Sequence, residues 1–148
     1  MYNELIRALR VMNLINDDTP KSQLFLLMWL LENGQLKFDL QLQLDDPMFK
    51  GFIAISNSLR EIFEDDVDIY WISKGFYNSI KNFSGNKNKL VEASKSLLEK
   101  EDKILHKHLT DIAAFGVVPI ERWYTCLFAG VLHESALVKI WDKVVGKY

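Results

Sequence analysis

The 148-residue chain is 49% hydrophobic and 12% aromatic, enough to bury one core of ordinary size, so a single domain over 1–148 is expected. Its 18 basic and 20 acidic residues give a net charge of −2 with neither sign massed in a long block, which excludes a nucleic-acid footprint and an electrostatic membrane anchor. The longest apolar run, Leu24 to Leu31, covers eight residues, and Met1-Tyr2-Asn3-Glu4 lacks the basic and apolar regions of a signal peptide; neither a membrane span nor secretion follows.

Leu5, Ile6, Leu9, Met12 and Ile15 recur at three- and four-residue intervals and predict a first helix over 3–15. Thr19-Pro20 reads as a hydroxyl cap followed by proline at the first helical position, and Gly34 as a stop, which gives a second helix over 20–33. Through Leu24-Phe25-Leu26-Leu27-Met28-Trp29-Leu30-Leu31 this helix is apolar all round. Either it lies centrally in the core with both sides covered, or its surplus surface meets a partner helix through Phe25, Met28 and Trp29.

From Leu36 to Leu44 leucine or phenylalanine alternates strictly with polar residues, which is strand periodicity. No second strand pairs with it, so the stretch is expected to be an extended connector laid on the helices, with a marginal hairpin, edge strand or docking edge as alternatives. Asp46-Pro47 opens a helix over 47–63. The acidic run 64–68 lacks the alternating oxygen ligands and central glycine of a calcium loop and is expected to be a turn whose last carboxylate, Asp68, caps the next helix.

That helix covers 69–83, and Ser84 to Asn88 form a polar break. Leu90 to Ile112 reads as one long helix with a solvated charged face, Gly116 and Pro119 divide it from a helix running through Trp123 to Leu132, and Ser135 to Val145 closes the chain before Gly146. About seven helices and an all-α fold result. The lone cysteine, Cys126, sits in the apolar run Trp123 to Leu132 and suits a small buried hydrophobe in a reduced compartment.

His106 and His108 point to nearly opposite helix faces and cannot share a metal ion; Asp102 and His106 share a face but read as an exposed ion pair. His133 reads as a turn residue near a helix start, and the seven glycines are scattered singly with no phosphate loop. No catalytic, cofactor or metal site is expected from composition and spacing.

Trp123-Tyr124-Thr125-Cys126-Leu127-Phe128, with Ile140-Trp141-Asp142 placing its tryptophan eighteen residues after the first, resembles the TBC domain family of Rab GTPase-activating proteins. The family pattern of a tryptophan, an aromatic five residues on, Leu-Pro and Arg-Ile-Trp-Asp corresponds to Trp123, Phe128, Leu132-His133 and Lys139-Ile140-Trp141-Asp142. His133 departs from its proline and Lys139 from its arginine.

Upstream, the family's Tyr-x-Gln-Gly falls on Met48, Lys50 and Gly51, counted back from Tyr70-Trp71. Its Asp-x-x-Arg-Thr-x-Pro falls on Leu14, Asp17, Asp18 and Pro20. In the family the glutamine and arginine are fingers on bound GTP, holding the attacking water and neutralising the transferring phosphoryl group. Asp17 would repel phosphates, and Lys50 has no acceptor with which to orient water. The resemblance therefore implies a multi-helix TBC fold without enzymatic activity. The rival reading is a Rab-family GTPase activator with displaced fingers, using Arg10 with Gln41 or Gln43.

Within the family, Asp17 to Pro20, Glu64 to Ile72, Cys126 to Gly130 and Trp141 to Val145 resemble the small third subunit of the tuberous sclerosis complex. The resemblance covers nearly the whole chain but the middle of that protein: the early Arg-x-x-x-Trp segment and the helices after Trp-Asp are absent. It implies a binding role: docking on the C-terminal coiled coil of hamartin, in a complex where tuberin activates hydrolysis on Rheb and mTOR signalling is restrained. It also implies a cytoplasmic protein recruited peripherally to lysosomal or other vesicle membranes.

Overall fold

A computed structural model describes residues 1–37, 39–83 and 87–145; Phe38, the Ser84-Gly85-Asn86 break and Gly146 lie outside them. In chain order the helices are α1 (Tyr2–Val11), α2 (Lys21–Glu32), α3 (Leu40–Asp45), α4 (Pro47–Ile62), α5 (Asp66–Phe83), α6 (Lys87–Glu101), α7 (Lys103–Asp111), α8 (Ile120–Thr125) and α9 (Glu134–Val145), with a 3-10 turn at Ala114–Gly116 before α8. Among the described residues there is no strand, and no helix is long and apolar enough to cross a membrane.

The core is built around α2, because a helix apolar on every face must be covered on every face. Leu24 to Leu30 are all buried. α1 covers one side through Leu9, and α4 another through Phe52, Ile55 and Leu59. α5 packs on α4 and brings Ile69, Tyr70, Phe76 and Tyr77 to the same cluster. Inside that contact Ser56 and Ser73, both wholly buried, hydrogen-bond hydroxyl to hydroxyl at 2.9 Å, so neither polar group is stranded.

At the C-terminal end of α2, Glu32 accepts from Tyr70 Oη at 2.8 Å and from Lys74 Nζ at 2.6 Å. Burial pushes the Glu32 carboxyl up, but the hydrogen bonds from Lys74 and Tyr70 and the Lys74 charge outweigh it and hold the carboxyl below its usual range. Burial, reinforced by the neighbouring Glu32 carboxylate, pushes the Tyr70 phenol well up. Gly34, at φ +63°, closes α2: its N–H donates to Leu31 O and that of Gln35 to Leu30 O, the paired bonds of a Schellman stop.

Several boundaries differ from the sequence expectation, each for a local reason. α1 ends at Val11 rather than 15 because Asn13 turns left-handed at φ +54°, with Leu14 N donating to Leu9 O. Thr19 does not cap α2; its hydroxyl accepts from Asn16 N at 2.9 Å and donates to Asn16 Oδ1 at 3.1 Å, closing the α1–α2 loop, while Pro20 stands at the helix start.

The expected extended connector is half helix. A leucine at every second position also recurs at every fourth, so Leu40 and Leu44 share the face of α3 that packs on the core while Leu42 is left 73% exposed. Asp39 caps this turn by accepting from Leu42 N at 3.1 Å. Asp65 rather than Asp68 caps α5, accepting from Val67 N at 2.7 Å and Asp68 N at 3.1 Å.

The expected helix from Leu90 to Ile112 is two, α6 and α7. Asp102 leaves helical geometry at φ −144° and accepts from Leu105 N at 2.9 Å, so its carboxylate serves as a cap rather than as the expected ion pair with His106. The helix expected through Leu132 stops at Thr125, because Leu127 (φ +47°) and Phe128 (φ +63°) are both left-handed.

Candidate functional site

Asp17 lies in the α1–α2 loop with its side chain 95% exposed, and its carboxylate accepts from Arg10 Nη2 at 3.2 Å. Arg10, the arginine that a displaced-finger activator would use, is thus engaged by the residue standing at the finger position. The amides of that reading are also committed. Gln43 is 5% exposed, donating to Gln35 O at 2.7 Å and accepting from Lys37 N at 3.0 Å; Gln41 donates to Asp45 at 3.1 Å.

Lys50 projects from the first turns of α4, more than half exposed and 3.6 Å from Asp45 Oδ1. The motif's next position, Gly51, is buried, and a Cβ built there would strike the carbonyl oxygen of Thr125. Glycine is required at this point because the backbones of α4 and α8 touch. Met48, at the motif's tyrosine position, is 42% exposed, and its carbonyl accepts from Tyr77 Oη at 3.3 Å.

Beside this contact runs a groove of about 640 Å³ between the N-terminal half of α4 and α8. Lys50 and Arg122 stand on its walls, and Cys126 and Ala129 form its buried floor. Burial pushes the Cys126 thiol up, while hydrogen bonding and the Arg122 charge pull against that shift. Arg122 was not singled out from the sequence. Its one signal is that it stands a helical turn before Thr125 and Cys126, which line the groove with it.

The two signature tryptophans hold the turn after α8. Trp141, 4% exposed, packs on Phe76 with ring centroids 5.0 Å apart and donates Nε1–H to Leu127 O at 2.9 Å. Trp123 stacks on Phe128 at 6.2 Å. His133, where the pattern has proline, sits at the entrance to α9 with Nδ1 3.1 Å from Ser135 Oγ.

Phe25, Met28 and Trp29, expected as partner contacts, are 0%, 0% and 1% exposed. Trp29 meets Tyr77 edge-on at 5.0 Å and donates to Asn78 Oδ1 at 3.1 Å; Phe25 packs between Tyr2 and Tyr70. Of the two readings of α2, the central one is what this packing realises, and none of the three side chains offers surface to a partner. Burial, with the charges of Asp66 and Asp65, pushes the Tyr2 phenol up to about 12. Among the described residues no three histidine, cysteine or carboxylate side chains gather as metal ligands.

No family model matches the chain. Over 145 residues, 97% of its length, it is 37% identical to TBC1 domain family member 7 of Bos taurus and 35% identical to the proteins of that name from Homo sapiens and Xenopus tropicalis. In its all-helical fold and over nearly its whole length the chain is similar to TBC-domain proteins. The member it is similar to is TBC1 domain family member 7, and the chain spans about half the length of those curated relatives, 49% of each.

Proposed function

We propose that the chain is a non-catalytic TBC-domain binding subunit, which docks on the hamartin coiled coil and, with tuberin, supports the tuberous sclerosis complex in restraining Rheb and mTOR signalling. The observation that carries the reading is the state of the two finger positions: a carboxylate at 17, already paired with Arg10, and an ammonium at 50, loosely tied to Asp45. Neither can do the work that the chemistry needs. A transferring phosphoryl group requires a cation beside its charged oxygens and an amide that both donates to and accepts from the attacking water. Phe25, Met28 and Trp29 contribute to docking from beneath, by fixing α2 and so the helices that surround it. The protein acts at the cytoplasmic face of lysosomal or other vesicle membranes, as a peripheral component.

Calorimetric titration with the C-terminal coiled coil of hamartin tests the reading. The expected result is saturable binding with a negative heat-capacity change from apolar burial. A flat titration of well-folded protein overturns it. In the same preparation GTP hydrolysis by a panel of Rab GTPases should be unchanged; stimulation that Arg10→Ala abolishes would establish the displaced-finger activator instead.

A further inference from the structure

The α4–α8 groove carries a charge imbalance that the fold does not resolve. The Arg122 guanidinium is exposed and makes no ion pair or hydrogen bond among the described residues, and Lys50, on the opposite wall, is held by a single loose contact to Asp45. One carboxylate, Glu121, also lines the groove and is itself engaged in an interaction. Two cations against one carboxylate therefore face an opening between helices in a protein whose net charge is −2, so the positive balance is not a general property of its surface.

Much of the remaining lining is apolar: Met48, Ala54 and Pro119 with Cys126, alongside the polar Thr125. The contact of Gly51 with the Thr125 backbone fixes the spacing of the walls, so the groove is formed before anything enters it. A trough between two helices, with a largely apolar lining and two cations on opposite walls, matches a helix whose apolar ridge is flanked by carboxylates. Arg122 can hold such a carboxylate through two parallel N–H bonds, and Lys50 acts as a point charge.

We infer that this groove binds an acidic amphipathic helix of a partner protein, with its carboxylates on Arg122 and Lys50 and its apolar ridge against Met48 and Ala54. The inference rests on the binding role proposed above and names the chemistry of the partner face and the surface that receives it.

The test uses fluorescence anisotropy with a labelled coiled-coil peptide that has leucine at its core positions and glutamate along both flanks, and a twin with lysine in place of glutamate. The glutamate peptide should bind, weaken as salt rises, and bind at least about tenfold more tightly than its twin. Arg122→Glu should cost about tenfold on the glutamate peptide, Lys50→Glu should weaken it too, and Arg122→Gln should fall between wild type and Arg122→Glu. Both positions are exposed, and melting curves of each variant report whether the fold is kept. Equal affinity for the two peptides, no binding of the glutamate peptide, or charge reversals that leave its affinity unchanged in folded protein would each overturn the inference. A chain that ignores hamartin yet selects the glutamate peptide supports the groove and removes only the named partner.

Discussion

At Gly51 two effects of a single methyl group oppose each other. Inside a helix, alanine is favoured over glycine by about 0.5–1 kcal/mol, but here the added Cβ meets the Thr125 carbonyl oxygen, which is backbone and cannot swing aside. Overpacking of this kind costs about 1–3 kcal/mol, so Gly51→Ala should lower the urea midpoint rather than raise it. Glu32 gives the second prediction, and its sign follows from the direction of its shift. A carboxyl held below the usual 4.5 in the folded chain contributes stability above that value and loses it as pH falls through the lower folded one. The stability gap between wild type and Glu32→Gln should therefore be open at neutral pH and narrow progressively in acid, as read from urea titrations of both proteins across that range.

At the level of elements, capping decides between two neighbouring aspartates that look alike in sequence. Asp65→Ala removes the acceptor of two backbone N–H groups at the start of α5 and should cost about 1 kcal/mol, while Asp68→Ala, within the first turn, should cost a few tenths; thermal melts of the two variants check the order. The all-round apolar α2 and the amphipathic α4, α5 and α9 were legible from apolar runs, spacing and start signals, because burial and local propensity agree there. The extended reading of 36–44 failed since a period of two contains a period of four, and nothing local says which face is buried. In sequence Asp102 looks like a surface partner, because a cap differs from an exposed carboxylate only in the backbone angles around it. The site was legible in part. The finger positions follow from motif spacing, but Lys50 and Arg122 lie on separate helices, and no local pattern says that α4 and α8 form one groove.

Across the whole molecule the helices are unequally anchored. α2 is buried from Leu24 to Leu30, whereas α7 has no buried residue and leaves Ile104 85% exposed. Amide exchange should follow that division, slowest in α2 and in the α4 and α5 segments around Phe52 and Tyr70, fastest in α7 and the 3-10 turn after it; equal protection in α7 and α2 would contradict the assignment. Cys126, the chain's single cysteine, lies on the groove floor at 4% exposure with its thiol pKa raised. A reagent reaches that sulfur by way of the α4–α8 groove, so its rate of modification is a clock for how open the groove is, carried by the natural sequence and needing no engineered label. A helix seated between them would slow the clock, and a denaturant too weak to melt α2 could still hasten it.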